Sequence, residues 1–90
     1  MPEDIDSAVK SEFDDALERV KNLPSQPPNT LLKLYGLYKQ ATKGDATGKR
    51  PGRLDFRGRA KFDAWASRKG MPQEEAMKAY SELVKKLENE

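Results

Sequence analysis

Apolar residues recur at helical spacing in four stretches of this chain, and proline or glycine closes the first three. Val9, Phe13, Ala16, Leu17 and Val20 make the first stripe, which ends before Pro24 because the residue preceding a proline is pushed out of the α region. Leu31, Leu34, Tyr35, Tyr38 and Ala41 make the second, widened by Leu32 and Leu37 and stopped at Gly44. The third carries Phe56, Ala60, Phe62, Ala64, Trp65 and Ala66 and stops at Gly70; the fourth carries Ala76, Tyr80, Leu83, Val84 and Leu87. The spacing predicts helices over residues 7–22, from Asn29 or Thr30 to 43, over 55–69, and from about Pro72 onward, and it predicts no strand. Asp6, Ser7 or Ser11 supplies the first N-cap. Four one-faced helices in 90 residues have one stable solution, an all-α bundle in a single domain over residues 1–90. Residues 1–8 are expected as a flexible N-terminal extension.

Composition then removes whole classes of function. The chain has no cysteine and no histidine, which leaves no disulfide framework, thiolate or imidazole metal site, or histidine-activated nucleophile. The carboxylate pairs Asp14/Asp15 and Glu74/Glu75 are sequence neighbours and point in different directions on a helix; they read as solvated faces and dipole partners. The expectation is a binding protein, not an enzyme, without metal or cofactor. No apolar run approaches the ~20 residues of a membrane span, and the acidic start (Glu3, Asp4, Asp6) is unlike a signal peptide. A cytoplasmic location is expected.

The net charge of +2 conceals an uneven distribution: residues 1–30 sum to −4, residues 31–70 to +8, and residues 71–90 to −2. A concentrated positive segment implies a polyanionic partner. Within it, Tyr35, Tyr38 and Lys39 are three and four residues apart and share one side of a helix. Two phenols at the edge of a core with a snorkelling lysine would account for them. Next to so many cations, the same trio also suits a purine carrying phosphate, with stacking worth ~1–3 kcal/mol and charge-assisted hydrogen bonds from lysine. Lys61 joins them if it faces the second helix; otherwise it is solvated surface. Trp65 and Tyr80 read first as core. Gly36, inside a helix, costs about 1 kcal/mol against alanine, which implies that another helix or a ligand approaches the backbone there.

The segment Tyr35-Gly36-Leu37-Tyr38-Lys39-Gln40-Ala41-Thr42, then Arg50-Pro51-Gly52 and Leu54-Asp55-Phe56, resembles the acyl-CoA-binding protein family. Ala60-Lys61-Phe62-Asp63-Ala64-Trp65 and Ala76-Met77-Lys78-Ala79-Tyr80 extend the resemblance to nearly the whole chain. It implies an up-down-down-up four-helix bundle that binds one long-chain acyl-CoA with high affinity, as an intracellular carrier and pool buffer in lipid transport. By matching motif, Tyr38 would stack on adenine, and Tyr35, Lys39 and Lys61 would hold the ribose 3′-phosphate. Lys21 would reach the phosphate region, Tyr80 would line the site from the last helix, and Leu31 and Leu32 would contribute to the acyl groove. Arg57 stands where the family usually has lysine, Phe62 where it has tryptophan, and Pro27-Pro28 and the basic 49–53 loop are further departures.

On that reading the partners are acyl-CoA and the enzymes that use it, with at most transient contact with membrane surfaces, no nucleic acid, and a monomeric protein. Two other readings stand beside it: a small helical nucleic-acid binder, from the +8 segment, and a partner-binding helical domain using the leucine-rich second helix.

Overall fold

A computed structural model describes residues 5–90 as four α-helices joined by loops, with no strand among them. Helix α1 spans Ser7–Arg19, and the Asp6 carboxylate caps it by accepting from the Ala8 amide at 2.8 Å. Its last residues tighten into a 3₁₀ turn, Val20–Asn22, and Leu23 is extended before Pro24. Helix α2 spans Pro28–Lys43, one residue earlier than the spacing implies, because the fixed φ and missing N–H of proline cost nothing in a first turn. It stops at Gly44, whose φ of +80° favours glycine.

Helix α3 is shorter than expected and spans Phe56–Ala66. Asp55 is its cap, accepting from the Gly58 amide at 2.9 Å, so it precedes the helix. At the other end, Arg68 and Lys69 donate to the carbonyls three residues back, and the chain turns to Gly70 without continuing the helix. Helix α4 spans Gln73–Glu88, with Pro72 at its cap and Glu74 and Glu75 in its first turn. Of the extension expected over residues 1–8, residues 1–4 lie outside the described residues. Ile5 packs against the core and Ser7 and Ala8 form the first turn of α1.

Side-chain contacts establish the order of directions. Arg19, at the end of α1, donates twice to Glu88 at the end of α4, and the Asp6 amide donates to Glu74 at the start of α4, so α1 and α4 run parallel. Gln40 near the end of α2 donates to the Met71 carbonyl, and Gln73 donates to the Ala41 carbonyl, so α2 runs against α4. Tyr35 meets Lys61, Gly36 meets Ala64 and Lys39 meets Trp65, so α3 runs along α2. The result is up-down-down-up.

Helix α4 lies between α1 and α2, and α3 packs on the outer side of α2. The core comprises Phe13 and Ala16 of α1, Leu34, Leu37 and Ala41 of α2, and Ala76, Met77, Tyr80 and Val84 of α4. Phe13 meets Tyr80 edge-on with centroids 5.3 Å apart. Helix α3 contributes no fully buried residue. The molecule is therefore a slab, 40 × 40 × 16 Å across its Cα atoms, with α3 on one margin and an open face across α2 and α3.

Candidate functional site

The open face depends on one missing Cβ. A side chain at Gly36 would stand 2.5 Å from the carbonyl oxygen of Ala64, so only glycine lets α3 approach this closely. Close approach of parallel helices brings the cations of one to the rings of the other. The Lys61 ammonium sits 5.3 Å from the Tyr35 centroid, and the Lys39 ammonium 4.6 Å from the Trp65 centroid. Both are within the ~6 Å at which a ring quadrupole attracts a cation. Among the described residues neither ammonium has a carboxylate partner. The cluster therefore holds two positive charges on aromatic faces without neutralising them.

Trp65 is itself fixed. Its indole N–H donates to the Gly44 carbonyl at 2.7 Å, and its ring meets Phe62 edge-on. Gly44 is held in turn by a junction of loops. Asp45 Oδ1 accepts from the Gly70 amide and from Gln40 Nε2, both at 2.9 Å, and Gln40 Nε2 also donates to the Met71 carbonyl at 2.8 Å. The Gly70 amide, with Gln40 second, holds the Asp45 carboxyl below the usual aspartate range. On the loop between α2 and α3, Arg50 makes a two-pronged contact with Asp63, at 2.9 and 2.7 Å, which raises the arginine and lowers the aspartate. That arginine anchors the basic loop to α3.

The other residues singled out in the sequence are distributed around this cluster. Tyr38 is 39% exposed on α2, whereas Tyr80 is buried in the core. Burial, and then the neighbouring Tyr38, pushes the Tyr80 phenol above the usual tyrosine range, so Tyr80 meets the α2 face from within. Leu31 is 53% exposed and Leu32 half-buried, both about one turn before the Tyr35 level on α2. Arg57 is exposed in the first turn of α3, at the same end of the parallel pair, beside an exposed Phe56. Lys21 stands apart from the cluster, in the 3₁₀ turn, where its ammonium is 3.3 Å from Glu18. Trp65 is the member that sequence reasoning placed in the core. Its position four residues after Lys61 was the available signal, since a ring on that face of α3 meets Lys39 once α3 is known to lie along α2.

A recess of about 680 Å³ lies elsewhere, at the start of α4, lined by Ile5, Pro72, Gln73, Glu74, Glu75 and Lys78. With two carboxylates to one ammonium, it has the wrong sign for a polyanion. Among the described residues no group of three or more acidic side chains is placed to hold a metal ion, and no helix is long and apolar enough to cross a membrane.

Fold and site thus define an all-α, up-down-down-up four-helix domain with a cationic, aromatic face across two parallel helices. The family model for acyl CoA binding protein matches residues 10–84. The chain is 50% identical over 76 residues to acyl-CoA-binding protein homolog 1 of Caenorhabditis elegans, covering 83% of this chain and 88% of that one. It is 49% identical over 82 residues to the acyl-CoA-binding protein homolog of Manduca sexta, covering 89% and 91%. Among solved structures, acyl-CoA-binding protein 2 of Oryza sativa superposes with a TM-score of 0.87 at 43% identity, covering 90% of this chain and 91% of that one. The chain belongs to the acyl-CoA-binding protein family.

Proposed function

We propose that the protein binds one long-chain acyl-CoA ester per chain with high affinity and serves as a carrier and buffer of such esters in the cytoplasm, without catalytic activity. The observation that carries this reading is the pair of uncompensated ammonium groups, Lys39 and Lys61, held on the Trp65 and Tyr35 rings across α2 and α3. Coenzyme A ends in a 3′-phosphomonoester beside an adenine, and an anion arriving here meets two cations that have no carboxylate to leave. Tyr35, Lys39 and Lys61 hold that phosphate, and the exposed Tyr38 offers its face to the adenine. Lys21 is assigned to the phosphate region, Arg57 contacts the ligand from the first turn of α3 where the family usually has lysine, and Tyr80 lines the site from α4.

The apolar end of the ligand has its own surface. Leu31 on α2 and Phe56 on α3 are both exposed and stand at the same end of the parallel pair, with Leu32 half-buried beside them. An acyl chain laid there removes its own methylenes and these side chains from water, at ~0.8 kcal/mol per CH₂. Affinity therefore rises with chain length and levels off where the groove ends.

Titration calorimetry with palmitoyl-CoA, with free coenzyme A and palmitate as controls, tests the reading. The expected result is one-to-one binding of the ester with both fragments far weaker. Charge-assisted hydrogen bonds contribute ~1.5–3 kcal/mol each, so Lys39→Ala and Lys61→Ala should each weaken binding about tenfold or more and the double variant about a hundredfold. Unaltered affinity in the double variant would refute the proposed site.

A further inference from the structure

Two side chains at the turn into α3 are anomalous: Leu54 is 90% exposed and Phe56 is 75% exposed. They are not scattered surface hydrophobics, because they sit within a run of cations, Lys49, Arg50, Arg53 and Arg57. Among the described residues, Lys49, Arg53 and Arg57 have no carboxylate partner; Arg50 alone is paired, to Asp63. The acid in the run, Asp55, is turned to the Gly58 amide as the cap of α3. The Arg50–Asp63 contact and that cap hold the turn against α3, so the two apolar groups are presented together on a fixed support.

We propose that this tip, with Leu54 at its apex and Arg53 and Arg57 flanking it, is a docking surface for an anionic phospholipid bilayer. An apolar side chain that inserts to the acyl boundary while arginines remain at headgroup level is the arrangement such a surface requires. A soluble polyanion would use the cations and leave Leu54 in water, and a protein groove would call for a broader apolar stripe than one leucine and one phenylalanine. The tip lies at the end of α3 where the acyl groove of the proposed function opens, yet docking uses a residue, Leu54, that has no part in that site.

Sedimentation of the ligand-free chain with vesicles tests this without reference to acyl-CoA. The chain should pellet with vesicles of mixed phosphatidylcholine and phosphatidylserine, stay in solution with phosphatidylcholine alone, and be released by high salt. Leu54→Ser should weaken partitioning about tenfold, and Arg53→Ser about fivefold. Both positions are exposed, so far-ultraviolet circular dichroism and the melting temperature should match those of the parent chain. No sedimentation with either vesicle, or parent-like sedimentation of both variants, would overturn the proposal. Equal binding to phosphatidylcholine alone would do so too, and palmitoyl-CoA calorimetry reads the proposed function separately.

Discussion

At Gly36 two effects of opposite sign compete. Alanine there would favour α2 by about 1 kcal/mol through helix propensity. It would also place a methyl group 2.5 Å from the backbone oxygen of Ala64, where no flexible side chain can yield. Forcing an extra group into a packed contact costs typically ~1–3 kcal/mol, and this contact is backbone, so the steric effect prevails. Gly36→Ala should lower stability by about 1–2 kcal/mol and separate α3 from α2. The loss should appear in urea denaturation, and quenching of Trp65 fluorescence by iodide should increase as the ring leaves Gly44. A variant more stable than the parent would mean that α3 slides along α2 at little cost.

Among the elements, the junction of Gln40, Asp45, Gly70 and Met71 joins the end of α2 to the start of α4 and to the turn after α3. The Asp45 carboxyl is held below its usual range by donors that exist only in the fold. Its contribution is therefore present above the unfolded aspartate value of ~3.9 and lost as pH falls through the lower, folded value. Asp45→Asn should have a lower urea midpoint than the parent at neutral pH, and the gap should close as pH falls below about 4. A gap that stays constant with pH would mean the charge of Asp45 contributes nothing. How far the elements were legible in sequence follows the range of the forces that make them. Stripes such as Val9-Phe13-Ala16 and local signals such as Asp6 and Gly44 act over one or two turns, and they located α1, α2 and α4 closely. The end of α3 falls short of the periodic pattern. Ser67-Arg68-Lys69 contains no breaker, yet the Arg68 and Lys69 amides donate to carbonyls three residues back and so leave the α-helical ladder. Helix directions lie in long-range contacts such as Arg19 with Glu88, which periodicity does not encode; only the family resemblance indicated them. The site divides in the same way. Tyr35, Tyr38 and Lys39 form a visible local pattern, whereas the pairing of Lys39 with Trp65 exists only because Gly36 admits a second helix.

Taken whole, the molecule carries its charges unevenly on a thin slab, and the ligand of the proposed function acts on that imbalance. The chain has a net charge of +2 at pH 7 and a pI near 8.9. Coenzyme A esters carry about −4 at neutral pH, since the 3′-phosphomonoester has a second pKa near 6. One bound ester should therefore change the sign of the net charge, without any conformational change. In native electrophoresis at neutral pH the free chain should migrate toward the cathode and the palmitoyl-CoA complex toward the anode. The same change opposes docking on an anionic bilayer, because the added charge sits on the α2–α3 face next to the α3 tip. Palmitoyl-CoA below its micelle concentration should then release the chain from phosphatidylserine vesicles, whereas free palmitate, which lacks the phosphates, should release far less. Migration of the saturated complex still toward the cathode would mean that the cationic face gives up bound counter-anions as the ester binds, which offsets the added charge. Net charge would then have no part in separating loaded from empty protein at a membrane.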